Sequence, residues 1–458
     1  MEHKFGNKFI FLAMAAASIG MAFLAIRTSL LGVFLFGLAI IIVIVYLSIA
    51  KPLCVAIMMM FSALLLPPLT ISSNLPAIRP EFFIVIIMFY SMLFSNKKLL
   101  LYKNPLNKWF LFFGLCILLS ILYGGVRGYS IGVRDFYEIM KLTLYWMMFY
   151  VGLQVIRKTK DTDGIIKYLL IFFLLTSILD IGQFFNLGNI NSWLSPYYTN
   201  VEKYGMINEY GRIVGTTGNP NEFGILLTIG SLLALSFILM DYSHKKLLYI
   251  VLALTSLGVL FTGSRTALVG LIIGVVLLIF YYYPRYSIKK KSIGKTTMIF
   301  FTLISIVIVV ISLAPDIFFK RSQDLYNISG DASWTYRLKM WKGALEIWWE
   351  SPIIGFGPSK GLFVEAVDNE WILLLRSYGI IGVTFFIGLF FNLFQQLSLV
   401  AKQLSSNSSR AYIIVLQALL IVFAINMIPA QVYAAMQIMP FYFLCAGIGI
   451  SLGKFTRS

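Results

Sequence analysis

Charge is scarce in this sequence. Of its 458 residues only 12% are Asp, Glu, Lys or Arg, against ~25% in an ordinary soluble domain. Apolar residues make up 59%, and the mean hydropathy is +0.86. No soluble core of this size needs so many apolar side chains, so the solvent for most of the chain is lipid.

Cysteine and histidine are scarcer still. Cys54, Cys116 and Cys445 all lie inside apolar runs, with neither metal spacing nor a disulfide pattern. They read as small core- or lipid-facing residues. The two histidines, His3 and His244, sit in basic segments assigned below to the cytoplasm. The commonest general base and metal ligand is thereby missing from the opposite face, and neither a metal site nor a cofactor is expected there. A cleavable leader is not expected either. The first apolar stretch begins near Phe9 behind Lys4 and Lys8, but no small-residue cleavage site followed by a soluble domain comes after it.

Long apolar runs are what the sequence does have. They fall at roughly 8–26, 29–50, 52–71, 80–95, 108–124, 138–156, 165–185, 221–240, 246–262, 266–284, 297–315, 370–395, 411–428 and 431–452. A helix crossing the ~30 Å hydrocarbon core needs roughly 20 residues, and only closed backbone hydrogen bonding survives there. The pattern predicts an all-α polytopic membrane protein of about 14 transmembrane helices (12–14). It forms a single integral membrane domain over 1–458, with one large loop at 316–369 between the eleventh and twelfth helices.

Charge sets the orientation. With the N-terminus inside, the inward connections hold 22 of the 37 Lys and Arg, and among acids only Glu2, Asp161, Asp163 and Asp241. The whole net charge of +18 therefore falls on that face, and the remainder of the chain balances to zero. This is the positive-inside pattern of an inner-membrane protein with both termini cytoplasmic. It is not a nucleic-acid patch.

The outward charges need another explanation. Three outward connections are longer than hairpins require: Gly124 to Tyr137, Asn186 to Asn219, and Asp316 to Glu370. Long loops on one face carry function. The third contains a helix, with Trp334, Leu338, Trp341, Leu345 and Trp348 on one stripe, Asp331 or Ser333 as cap and Pro352 as stop. That stripe suits either the membrane headgroup zone or packing on the bundle. The run PIIGFGPSKG at 352–361 reads as a tight turn back to the membrane, because it lacks phosphate-loop spacing. Asp368, Asn369 and Glu370 stand at the mouth of the twelfth helix, where a carboxylate can take a hydroxyl proton or simply cap the helix.

Arg134 lies in the first outward loop, Arg212, Asn221 and Glu222 in or just past the second, and Arg265 in a very short hairpin. Arg376 and Asp180 fall within helices, where lipid exposure of a charge costs ~2.5 kcal/mol or more. Both are expected to face the interior, and a mutual pair would satisfy them. Arginine forks grip diphosphate oxygens. Together these residues point to a lipid-linked anionic substrate handled at the outer leaflet.

Four motifs occur in order: GRIVGTTGNPNEFG, TGSRTALVG, RLKMWKGALEIWWESPIIGFGPSKG and VDNEWILLLRSYGIIG. Over about 205–385 the chain resembles the O-antigen polymerase and ligase superfamily, Wzy-like and WaaL-like proteins. The resemblance implies a GT-C-type bundle and a metal-independent inverting glycosyltransferase. It would act on undecaprenyl-diphosphate-linked oligosaccharide at the periplasmic face, with a flippase and a chain-length regulator as partners beside the bilayer. In the ligase branch a histidine precedes the final-motif asparagine. Asp368 stands there, which favours a polymerase of repeat units.

By the same resemblance Arg212 and Arg265 hold the diphosphate and Arg337 is the loop-helix arginine. Asp368 orients or deprotonates the acceptor hydroxyl, with Glu222 as second choice. Asn369, Glu370, Asn221 and Arg134 complete the substrate-binding set. The alternatives are a ligase for another acceptor and a secondary transporter or flippase. No repeat relates the two halves, as a transporter would often show.

Overall fold

Lipid gives backbone amides no partner but one another, and the apolar runs become helices accordingly. The computed structural model describes residues 30–68, 79–95, 104–156, 160–194, 212–282, 332–360 and 367–453. Within them every apolar run contains a helix, and no strand is found among the described residues. The helices of more than ten residues are α1 (Leu30–Ala50), α2 (Pro52–Leu65), α3 (Pro80–Phe94), α4 (Leu106–Val126), α5 (Val133–Val155), α6 (Lys160–Phe184), α7 (Pro220–Leu239) and α8 (Lys245–Phe261). There follow α9 (Arg265–Val276), which runs on as π-helix to Tyr282, α10 (Ala332–Glu350), α11 (Glu370–Gln403), α12 (Asn407–Asn426) and α13 (Ile438–Leu452). The runs at 8–26 and 297–315 lie outside the described residues.

Six of these helices, α4, α6, α7, α9 with its extension, α11 and α12, are long and apolar enough to cross a membrane. The chain is a helical membrane protein. Exposed leucines Leu111, Leu115, Leu119 and Leu122 along α4 suit a surface solvated by lipid. Inside, glycine permits close approach. A Cβ added at Gly152 of α5 would lie 2.4 Å from Leu444 O of α13, and one at Gly447 would lie 2.1 Å from Phe149 O. Small residues at such crossings are how membrane helices pack without a hydrophobic drive.

At one end of the bundle, buried polar side chains stitch the helices together. Arg79 and Glu81, 3% and 1% exposed, form an ion pair at the start of α3. Arg79 also donates to the carbonyls of Ala63 and Leu66 at the end of α2 (3.2 and 3.0 Å) and to Gln437 Oε1 beside α13 (3.1 Å). The guanidinium thus caps the carbonyls a helix end leaves unmet. Gln437 in turn donates to Thr216 Oγ1 at 3.0 Å, which ties α13 to the turn before α7.

The same end holds a broken helix. Gly379 interrupts α11 with φ +61° and ψ −169°, a conformation available essentially to glycine alone. Segment 352–357 lies in the gap and satisfies the freed groups. Ile380 N and Ile381 N donate to Pro352 O and Ile353 O (2.9 and 3.2 Å), while Phe356 N and Gly357 N donate to Arg376 O and Ser377 O (3.3 and 2.8 Å). On its other side the segment rests on α4, where Ser120 Oγ donates to Ile354 O at 2.6 Å. The run PIIGFG is therefore not a plain turn. It is a backbone wedge between α4 and the two halves of α11.

The loop helix α10 covers the expected positions. Ala344 is buried and Trp341, Leu345 and Trp348 are half-buried, whereas Leu338 is exposed. The helix packs on α11, as the bundle-packing reading expects, with Tyr336 and Trp349 left exposed. Ser333 falls inside the helix and does not cap it, and Asp331 lies outside the described residues. The Asp180–Arg376 pair does not form. Asp180 sits wholly buried on α6 against Gly258 of α8, and neither of its carboxylate oxygens has a hydrogen-bond partner among the described residues.

Candidate functional site

Two clusters meet at this polar end. The first is an arginine corner built from two tight turns. Gln183 Oε1, near the end of α6, accepts from Val214 N and Gly215 N (3.0 and 2.8 Å) and fixes the turn that enters α7. Asn219 caps that helix by accepting from Asn221 N at 2.9 Å, with Pro220 in the first turn. The turn between α8 and α9 has Gly263 at φ +59° and Ser264 capping α9.

Arg212 bridges the two turns. It is 7% exposed, and it donates through Nε to Thr262 O (2.8 Å) and through an Nη to Asn221 Oδ1 (3.1 Å). A Cβ on Gly263 would touch its side chain at 3.5 Å. Arg265, the first residue of α9, is exposed. Glu222 is half-buried and accepts from Asn219 Nδ2 at 3.4 Å.

The second cluster lies at the mouth of α11. Arg337 on α10 and Asp368 form an ion pair at 3.1 Å, with side chains 25% and 43% exposed. Asn369 caps α11, accepting from Ile372 N at 3.0 Å. Glu370 is 2% exposed. Its amide donates to Met427 O (2.9 Å) and its Oε2 accepts from Ala434 N (3.2 Å), so the turn after α12 cradles it.

Beneath this mouth is a cavity of about 250 Å³, lined by residues from several parts of the chain, three of which contribute charged groups. Glu138 of α5 binds Lys141 through Oε2 at 2.5 Å and Lys360 through Oε1 at 2.6 Å. Lys141 also sits 4.8 Å from the Tyr433 ring centroid, a cation–π contact. Lys360 N is held by Asp135 Oδ1 at 2.8 Å. Glu370, Arg376 and Tyr433 complete the charged and hydroxyl lining.

The clusters are neighbours through the end of α12. A Cβ on Gly270 of α9 would meet the Asn426 side chain at 2.5 Å, and the next residue, Met427, accepts from Glu370 N. Arg265 lies five residues up α9 from Gly270, about 7 Å along the axis. Charge on one side and carboxylate on the other can thus serve one elongated ligand.

Sequence reasoning finds Arg212, Asn221, Glu222 and Arg265 in one corner, and Arg337, Asp368, Asn369 and Glu370 at the other. Arg134 is exposed on α5, while its neighbours Asp135 and Glu138 turn inward. The sequence reading misses Asp135, Glu138, Lys141, Lys360 and Tyr433. The spacing Asp135, Glu138, Lys141, three residues apart at the start of an apolar helix, is the signal that could have revealed them. Three successive charges at that interval share one helix face. Among the described residues no three His, Cys, Asp or Glu side chains are grouped to hold a metal ion.

Residues 250–387 match the family model Wzy_C, described as O-antigen ligase. The match spans the α8–α9 turn, α10, the wedge and the mouth of α11. It leaves out Arg212, α5 and the α12–α13 turn. No curated protein matches the chain.

Proposed function

We propose that this chain, related to the O-antigen polymerase and ligase superfamily through residues 250–387, polymerises polyprenyl-diphosphate-linked oligosaccharide repeats at the outer face of the inner membrane. The observation that carries this reading is the meeting of an arginine corner and a carboxylate-lined cavity at one end of a membrane bundle. Substrates of this kind present a diphosphate, a sugar and an isoprenoid tail. They are met by a guanidinium fork, by mixed polar groups and by lipid. On the charge asymmetry of the loops, the polar end faces the periplasm and fourteen helices complete the bundle.

Arg265 stabilises the negative charge growing on the diphosphate as the sugar leaves, an effect commonly worth ~3 kcal/mol per donor. Arg212 holds the two turns that aim it and supplies the remaining diphosphate contact with Asn221. Asp368 or Glu370 takes the proton of the acceptor hydroxyl, and attack opposite the diphosphate inverts the anomeric carbon. α10 covers the site and keeps water from the activated chain. Ligation to a different acceptor is the second reading, because the matched family model is described as a ligase. Asp368 in the place of the ligase histidine favours polymerisation.

The test is incubation of purified protein with lipid-linked repeat units. A ladder of lengths supports the polymerase. Transfer to an added acceptor such as lipid A core without a ladder supports the ligase. Movement of the substrate across vesicles with neither product supports a flippase and ends both transferase readings.

A further inference from the structure

The charged cavity is built for more than tying helices together. We propose that it is the pocket for the acceptor sugar, and that Glu370 is the carboxylate that receives the proton of the attacking hydroxyl. The proposal rests on the transferase reading above and assigns a role within it that the loop motifs do not give.

Size is the first argument. At about 250 Å³ the cavity falls below the ~300 Å³ at which pockets begin to hold drug-sized molecules. It suits one sugar ring and not an oligosaccharide. Chemistry is the second. The walls mix acceptors, Glu138 and Glu370, with donors, Lys141, Lys360 and Arg376, as a ring bearing several hydroxyls requires. The Lys360 side chain, 39% exposed, marks the side on which the cavity reaches the surface.

Tyr433 is the third. It lines the cavity and is 1% exposed, yet its hydroxyl has no hydrogen-bond partner among the described residues. Buried polar groups are nearly always paired, and a ligand hydroxyl would complete this one.

The choice among carboxylates follows from their partners. Both Glu138 oxygens are taken, one by each lysine. Asp368 is engaged by Arg337 and is 43% exposed at the rim, where water competes with any sugar. Glu370 lines the cavity and is 2% exposed, with Oε2 steadied by Ala434 N.

In the step itself, the acceptor oxygen bonds to C1 of the donor sugar. The bond from C1 to the diphosphate oxygen breaks, and its electron pair leaves with the polyprenyl diphosphate. The hydroxyl proton moves to Glu370, which passes it to water at the cavity mouth before the next turnover.

The test uses full-length protein in lipid nanodiscs and lipid-linked repeat units extracted from cells lacking the gene. Glu370→Gln should lower kcat by about a hundredfold and leave KM within threefold. Tyr433→Phe should raise KM severalfold with kcat kept, and Asp368→Asn should lose less kcat than Glu370→Gln. Glu370→Gln within threefold of the parent, or an unmoved KM in Tyr433→Phe, overturns the assignment.

A second readout needs no turnover. In a chain freed of its three native cysteines, Gln431→Cys places a thiol in the cavity wall. Repeat-unit oligosaccharide released from its lipid should slow maleimide labelling at least fivefold. Unslowed labelling overturns the pocket even in an active enzyme. Slowed labelling in a parent protein that transfers nothing upholds the pocket and overturns Glu370 as a base, together with the transferase reading.

Discussion

The arginine corner and the charged cavity solve the same problem in opposite ways. In the corner, Arg212 is pinned to a backbone carbonyl and an amide side chain, Thr262 O and Asn221. Both partners come from two turns that name themselves in the sequence. In the cavity, Glu138, Lys360 and Glu370 come from α5, the stretch of chain just after the wedge and α11, and the Glu138–Lys360 contact joins residues 222 apart. The corner joins turns no more than 50 residues apart, and its buried arginine is met by the protein. The cavity is assembled at long range and, among the described residues, leaves a tyrosine hydroxyl unmet. The first is held in shape by its own hydrogen bonds and presents an exposed Arg265 at its edge, and the second keeps enclosed space for a guest.

That contrast can be broken at several points. The largest effect is expected at the wedge both clusters depend on. A Cβ at Gly379 would lie 2.3 Å from Ile353 O, and the backbone there is at φ +61°. Gly379→Ala should cost more than about 3 kcal/mol, seen as loss of monodisperse protein or a sharply lower Tm in detergent. An unchanged Tm would mean that α11 is not interlocked with segment 352–357.

Next comes the cavity triad. Glu138→Ala strands the 8%-exposed Lys141, and removing one partner from a buried pair costs about 3 kcal/mol. Lys360→Ala, acting on a side chain 39% exposed, should cost about 1 kcal/mol. Equal losses of Tm would show that the Glu138–Lys141 contact adds no stability beyond the Glu138–Lys360 contact.

The two arginines of the corner should then separate. Arg212→Ala removes at least two hydrogen bonds from a buried group and should lower stability by about 2 kcal/mol or more. Arg265→Ala, acting on an exposed side chain, should lower Tm less than Arg212→Ala and abolish chain growth, so that single repeats accumulate on the carrier lipid. Normal chain lengths in Arg265→Ala would end the diphosphate role. The smallest effect belongs to the rim, where the half-exposed Arg337–Asp368 pair contributes under about 1 kcal/mol. Arg337→Ala should keep Tm and raise KM. A lowered kcat at constant KM would move Arg337 from the rim into the chemistry.

Much of this architecture is readable without coordinates, and the reason is physical. Lipid forces each apolar run to close its own hydrogen bonds, so α4, α6, α7 and α12 appear where hydropathy places them. Turn chemistry is equally local. The Asn219–Pro220 start of α7 and Ser264 before α9 announce their caps, and Arg212 lies between them. The wedge is not readable, because PIIGFG looks like an ordinary turn and SYGIIG like unbroken helix until they are seen side by side. Asp180 and Arg376 illustrate the same limit. Two opposite charges inside helices invite pairing, but α6 turns its acid toward Gly258 of α8. Lys141 and Tyr433 escape a loop-centred reading for a simpler reason, since one sits two turns into α5 and the other in the short turn before α13.

The wedge has a mechanical consequence. Trp348 Nε1 donates to Pro352 O at 3.1 Å, the carbonyl that also receives Ile380 N, and four residues later Phe356 N holds Arg376 O. Cover helix, wedge and cavity wall are thus one linkage without a slack joint. A tilt of α10 cannot uncover the rim without pulling on the peptide that carries Arg376. Opening the door and reshaping the room behind it are, for this molecule, a single stroke of the same lever.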